Sequence, residues 1–453
     1  MHAVRYGQCT IIRQRLDQHA IGASFRDGFP VPPSCRETGK TAKGAVVFAV
    51  RSANEDTLFP LPGSEQRTGE LFAPPEPREL EHATGILPYQ LLRDAIDRTR
   101  EIRSLEPILE DQIQPASLDL RLGDTAYRVR TSFLPGPDHT IKERLEKLTL
   151  HTLDLHDSAV LEKDCVYIVP LQEYLDLRYR TSGSANPKSS TGRLNIFARV
   201  ITDKCTEFDA IRANYGGPLY AELSPRSFSI RVRKGSRLVQ LRVRRGRPTS
   251  SNAALRRLHE EVGFSIVPEG EPIRRELIEG GLAVTVDVAG AHPDGFVGYK
   301  ARRHAPVVDV DKIDHYAVEE FWEPVFPRRG DGIILDPSDF YILASREPVA
   351  IPADQAAEML AYDTLVGEFR VHYAGFFDPG FGMPEFGGTG SRAVLEVRAH
   401  EVPFLIEHGQ IVGRLVYERL IARPDKLYGG AIGSSYQRQG LALSKHFKQA
   451  KRE

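Results

Sequence analysis

The segment PKSSTGR at 187–193 concentrates groups suited to a phosphate chain. Lys188 and Arg193 are cations, Ser189 and Ser190 carry short hydroxyl donors, and a glycine opens the backbone to a close approach. Arginine adds a planar fork that engages phosphate oxygens in pairs. Taken alone, the segment reads more readily as a polar surface turn ahead of a strand. A second cluster is HYAGFFDPGFG at 372–382, followed by SRAVLEV at 391–397. Its Asp-Pro-Gly is a tight-turn sequence, and AVLEV alternates like a strand with Glu396 inside it. An unpaired carboxylate is costly to bury, so Glu396 is either a residue kept for function or an outward-facing strand residue. The third cluster, YGGAIGSSYQRQG at 428–440, mixes glycines with Tyr428, Tyr436 and Gln439. That make-up suits a flap closing on a ligand, or a flexible tail.

These clusters need elements to position them. One helical pattern, with Leu87, Leu91, Leu92, Ala95 and Ile96 at helical spacing, precedes a series of short β-type runs. The runs are SLDLRLG, CVYIVPL, LNIFARVI, PLYAEL, FSIRVRKG and RLVQLRV, punctuated by Gly and Pro. They predict a mainly β sandwich or barrel, not a parallel α/β sheet. The later half repeats the earlier one. LEKDCVYIVP (161–170) aligns with LDPSDFYILA (335–344), PLYAEL with RAVLEV, and RKGSRLVQLRV with EHGQIVGRLVY. The pairs Tyr167/Tyr341, Glu222/Glu396 and Gly235/Gly409 share one separation of 174 residues (341 − 167, 396 − 222, 409 − 235). Where PKSSTGR should recur, the second copy has AYDTLVG (361–367) and no cation; where the DPG turn should stand, the first copy has TDKCTEF (202–208). Each copy keeps what the other has lost, as expected if one site is shared between them. The polar run at 244–252 divides the chain into modules at 83–250 and 251–453. Residues 1–82, rich in Pro, Glu and Gly, are expected to be a disordered extension.

Composition narrows the function classes. With 453 residues, 27% charged and 41% hydrophobic, the chain is globular in type and long enough for two or three domains. A net charge of −1 carries no broad basic excess for a long nucleic acid, and no run of apolar residues is long enough to span a membrane. Cys9, Cys35, Cys165 and Cys205 are far apart and form no CxxC pair, which fits a reducing compartment. A zinc nucleoside deaminase needs H-x-E with P-C-x-x-C; HEE at 259–261 offers the first part, and nothing supplies the second.

In order and spacing the three clusters resemble the dCTP deaminase family, a branch of the dUTPase-like fold, and within it the longer, internally duplicated type. PKSSTGR is similar to that family's R-S-S-x-x-R motif, with Lys188 at the first arginine. HYAGFFDPGFG and VLEV are similar to its base-and-sugar hairpin and catalytic-glutamate strand, and SLDLRLG to an early strand. Tyr428, Tyr436 and Gln439 match its C-terminal tail, while Ser435 stands where lysine is usual. The resemblance covers roughly residues 84–440. It implies two tandem dUTPase-like distorted β-barrel or jelly-roll modules with a few short helices. It also implies a hydrolase that turns dCTP into dUTP and ammonia with no zinc and no metal on protein side chains. Glu396 would be the general base for water attacking C4 of cytosine, with Glu222 as the alternative base. Ser189 and Arg193 would orient that water and Glu396, and Ala374 would meet the base edge. Asp378 would contact the sugar hydroxyl, and Phe381 would pack on the deoxyribose where a 2′-hydroxyl would stand. Lys188, Ser190, Tyr428, Tyr436 and Gln439 would hold phosphates bridged by Mg²⁺. The family further implies a cytoplasmic homo-oligomer, a trimer by the habit of the fold. Two alternatives share the scaffold: a bifunctional deaminase and dUTP pyrophosphatase that yields dUMP, and a dNTP-binding module without turnover.

Overall fold

The computed structural model describes residues 83–262, 277–290, 294–327, 332–360, 369–371, 375–383, 390–399, 401–429 and 440–448. The expected N-terminal extension, Ala374, Tyr436 and Gln439 lie outside the described residues.

Near the start of the first module, helix α1 (Tyr89–Asp97) follows Pro88 at its N-cap and buries Leu92, Ala95 and Ile96 on one face. After it come strand β1 (Leu118–Leu120), helix α2 (Ile141–Leu148), and strands β2 (Val166–Asp176) and β3 (Thr181–Pro187). A single helical turn, α3 (Ser189–Gly192), leads into β4 (Ile196–Thr202), β5 (Gly216–Pro225) and β6 (Val239–Arg245). β5 lies antiparallel between β2 and β4, while β6 pairs antiparallel with β3 and β1 in a second sheet. Helix α4 (Asn252–Val262) then precedes the second module, whose equivalent strands are β7 (Tyr341–Val349), β8 (Gln355–Leu360), β9 (Phe369–Val371), β10 (Ser391–Ala399) and β11 (Ile411–Arg419). Here β10 lies antiparallel between β7 and β9, and β11 pairs with β8.

The internal repeat therefore holds down to register. Glu222 faces Ile168 across β5 and β2, and Glu396 faces Ile342 across β10 and β7. Leu241 faces Ala185 in the first module, and Leu415 faces Met359 in the second. A local hydrogen bond recurs too: the Glu162 N–H donates to Tyr167 Oη at 3.0 Å, and the Asp336 N–H to Tyr341 Oη at 3.0 Å. A register slip of one residue would turn each glutamate to the opposite face, so this conserved pairing is what fixes where the carboxylates point. The architecture is mainly β, in two tandem modules.

The modules share buried surface. Phe228 of the first packs edge-on against Phe321 and Trp322 of the second, with ring centroids 5.4 Å apart in each case. Arg242 of β6 is fully buried and donates to the Ala357 carbonyl of β8 at 3.0 Å. Leaving such a guanidinium unpaired would cost several kcal/mol, on the order of 3–5, so its acceptors in the second module help fix one docking geometry.

Candidate functional site

The two glutamate strands follow the same two-residue rhythm but meet different neighbours. On β10, Ala393, Leu395, Val397 and Ala399 enter the second module's core, so Val394 and Glu396 face the other way. That outward face, with Ile342 beside it, packs onto the core of the first module, and Glu396 is only 6% exposed. On β5, Leu219, Ala221 and Leu223 enter the first module's core, leaving Tyr220 and Glu222 on the far side. There α2 closes the surface: Ile141 and Leu145 pack with Ile168, Ile201 and Tyr220. The first module covers its own glutamate face, whereas the second has its glutamate face covered by the first.

Their immediate surroundings differ accordingly. The Glu222 carboxylate accepts from Ser132 Oγ at 2.8 and 3.0 Å. Burial pushes its carboxyl up from the usual range, while Ser132 and Arg199 pull it back. Glu396 instead lies against α3. A Cβ built on Gly192 would fall 2.7 Å from Glu396 Oε1 and 2.8 Å from its Cδ, so only a glycine lets the carboxyl sit there. Burial drives the Glu396 carboxyl well above the ordinary carboxylate range, and the Arg193 guanidinium draws it down. The cation-hydroxyl segment and the strand carboxylate thus converge within one chain.

Within the 187–193 segment, α3 is a helical turn closed by Gly192 N–H to Lys188 O at 3.0 Å and Arg193 N–H to Ser189 O at 3.1 Å. Ser190, Thr191 and Arg193 are buried, and Ser189 is half-buried. Arg193 Nη1 donates to the carbonyls of Ala442 at 3.1 Å and Leu443 at 3.4 Å. Lys188 is ion-paired with Asp119 of β1, a partner that neutralises part of its charge toward any ligand. Beside this turn lies a cavity of about 300 Å³ lined by Lys188, Ser190, Thr191, Arg237, Lys445 and His446, among others. Thr191 Oγ1 has no hydrogen-bond partner there, although the residue is buried.

On the hairpin, Asp378 Oδ1 accepts from Arg242 Nη2 at 3.3 Å, and Arg242 also lies 4.0 Å over the Phe376 ring. Burial raises the Asp378 carboxyl, opposed chiefly by Arg242. Phe381 is buried, with its ring 5.2 Å from Phe377 and 5.8 Å from Tyr428. Tyr428, expected at the phosphates, has its described contacts on this hairpin, where its N–H donates to Pro379 O at 2.9 Å. Sequence reasoning missed Asp119, Arg242 and the 442–446 segment. The first two carry the signal that singled out Glu396, a charge inside an apolar strand, in SLDLRLG and RLVQLRV. Among the described residues, no group of three or more His, Cys, Asp or Glu side chains is placed to hold a metal ion.

Models of the 2'-deoxycytidine 5'-triphosphate deaminase N-terminal and C-terminal domains match residues 83–247 and 251–447, which is most of the chain. The chain belongs to the dCTP deaminase family. A solved structure, the 2'-deoxycytidine 5'-triphosphate deaminase from Agrobacterium tumefaciens, is 54% identical with a TM-score of 0.70, over 75% of this chain and 99% of that one. With that neighbour the two β modules are dUTPase-like. A Halobacterium salinarum protein named "dCTP deaminase, dUMP-forming" is 32% identical over 28% of this chain. The match spans 61% of that relative's length, and the next relatives are likewise matched over less than two thirds of theirs. A Natronomonas pharaonis protein named "dCTP deaminase" is 27% identical over 37% of this chain and 87% of its own length.

Proposed function

We propose that this chain hydrolyses the exocyclic amine of dCTP, giving dUTP and ammonia at a site composed from both modules. The observation that carries this is the placement of the buried Glu396 carboxyl against Gly192 and Arg193 of the other module. In the proposed step, Glu396 takes a proton from water as the water oxygen bonds to C4 of cytosine. The proton passes on to the amine, the C4–N bond breaks, ammonia leaves, and the remaining proton of the attacking water moves from O4 to N3 to give uracil. A base in this role must be ionised before the step and hold the proton during it, which a carboxyl raised by burial and restrained by a cation can do. Ser189 and Arg193 orient the water and the carboxylate. Lys188, Ser190 and the cavity beside them take the phosphates, with Mg²⁺ carried on the triphosphate oxygens. Asp378 and Phe381 form the sugar side, and Arg242 braces Asp378. The proposed setting is the cytoplasm, with the chain in a homo-oligomer; Cys165 and Cys205 are free thiols, in keeping with a reducing compartment.

A second reading adds hydrolysis of dUTP to dUMP, favoured by the names of several relatives. Incubation with dCTP, dUTP and CTP separates the cases. The proposal expects ammonia and dUTP from dCTP and little from CTP. Pyrophosphate with dUMP would establish the bifunctional case, and tight binding without product would overturn both.

A further inference from the structure

Residues 441–447 form a fixed wall beside the motif turn. Ser444, His446 and Phe447 are almost fully buried. Phe447 anchors the segment among Phe321 and Trp322, at ring separations of 5.3 and 5.8 Å. From that anchor the backbone runs along α3, where the Ala442 and Leu443 carbonyls accept from Arg193 Nη1. Ser444 Oγ donates to Ser190 O at 2.8 Å and also lies 2.8 Å from His446 Nδ1. His446 Nε2 lies 2.8 Å from Val310 O. Burial holds His446 down at about 4, with Lys445, Asp309 and Asp311 as the charged groups around it. The low value keeps the ring neutral with Nε2 donating to Val310 O, so the single Ser444 hydroxyl proton is shared between Ser190 O and His446 Nδ1.

An arginine side chain has several long-range rotamers, and its planar fork is useful only when aimed. Here two carbonyls pin one end of the guanidinium while Ser444 holds the turn that carries it. We propose that residues 442–446 are a positioning strap that aims Arg193 at Glu396, with Ser444 and His446 acting through α3. Nothing in this segment replaces the base or the phosphate grip; it sets the angle between them. The kinetic part of the test rests on the deaminase reading, so a second measurement is made without substrate.

The Glu396 carboxyl band, identified by difference from Glu396→Gln, is titrated by infrared spectroscopy in nucleotide-free full-length protein. Arg193 is the charged group acting on that carboxyl. In Ser444→Ala the loosened guanidinium should let the titration midpoint rise by about half to one pH unit. The acid limb of kcat for ammonia release should move with it, and KM should change less than kcat. His446→Ala should do the same, and His446→Gln, which keeps a donor for Val310, should recover part of the shift. Should His446→Ala fail to fold, Ser444→Ala decides alone, since it removes a single oxygen. A midpoint unchanged in Ser444→Ala overturns the strap. A shifted midpoint in a protein that never releases ammonia supports the strap and removes the deaminase reading instead.

Discussion

Gly192 and Glu396 make a close residue-level constraint where the two modules meet. A methyl at position 192 would overlap the carboxyl, so Gly192→Ala must displace either α3 or Glu396. A shift on the order of 1 Å in such a site costs about 100-fold in rate. Steady-state ammonia release should fall by that factor while the circular dichroism spectrum stays that of the wild type. The raised Glu396 carboxyl has a consequence for stability as well. A carboxyl held above its unfolded value favours the fold at low pH, and that contribution is lost as pH rises through the folded value. Glu396→Gln cannot ionise, so its Tm should exceed the wild type's at pH 8 and converge with it at pH 4. An equal difference at both values would remove the charge explanation. Much of this residue pattern was legible in the sequence, because a glutamate between Leu395 and Val397 is unusual at any strand position. The partner of Lys188 was not: Asp119 lies 69 residues earlier, and the pairing of both β1 and β3 with β6 brings the two together.

At the scale of elements, the two glutamate strands are alike in register and differ in what lies over them. Helix α2 buries Ile141 and Leu145 against the Glu222 face. Leu145→Ala should destabilise the chain by about 2–5 kcal/mol, read as a lowered midpoint in urea, and leave kcat of the folded enzyme unchanged. A loss of kcat would place α2 in the working site. The strands were legible because alternation and the 174-residue repeat reinforce each other. The role of α2 was not: IKERLEKL shows an amphipathic helix with Thr140 and Glu143 as its capping box, but its apolar face does not say which surface it covers. That is a tertiary fact. The docking of Tyr428 on the hairpin has the same origin, since a tyrosine in a glycine-rich tail carries no local signal for the surface it packs on.

Across the whole molecule, duplication permits a division of labour. The first module keeps the cation-hydroxyl turn, the second keeps the carboxylate and hairpin, and Arg242, Phe228 and the 442–447 segment hold the two together. Because Arg193 and Glu396 meet inside one chain, mixing Arg193→Ala with Glu396→Gln protein should restore no ammonia release, even after refolding the two together. Restoration to a sizeable fraction of wild-type activity would mean that the working pair forms between chains. The central claim, that the carboxylate of the second module and not its twin in the first performs the proton transfer, is tested most directly by ammonia release from dCTP in Glu396→Gln and Glu222→Gln side by side. The account predicts no detectable release from Glu396→Gln, with nucleotide binding retained, and near-normal release from Glu222→Gln. The opposite ranking would contradict it.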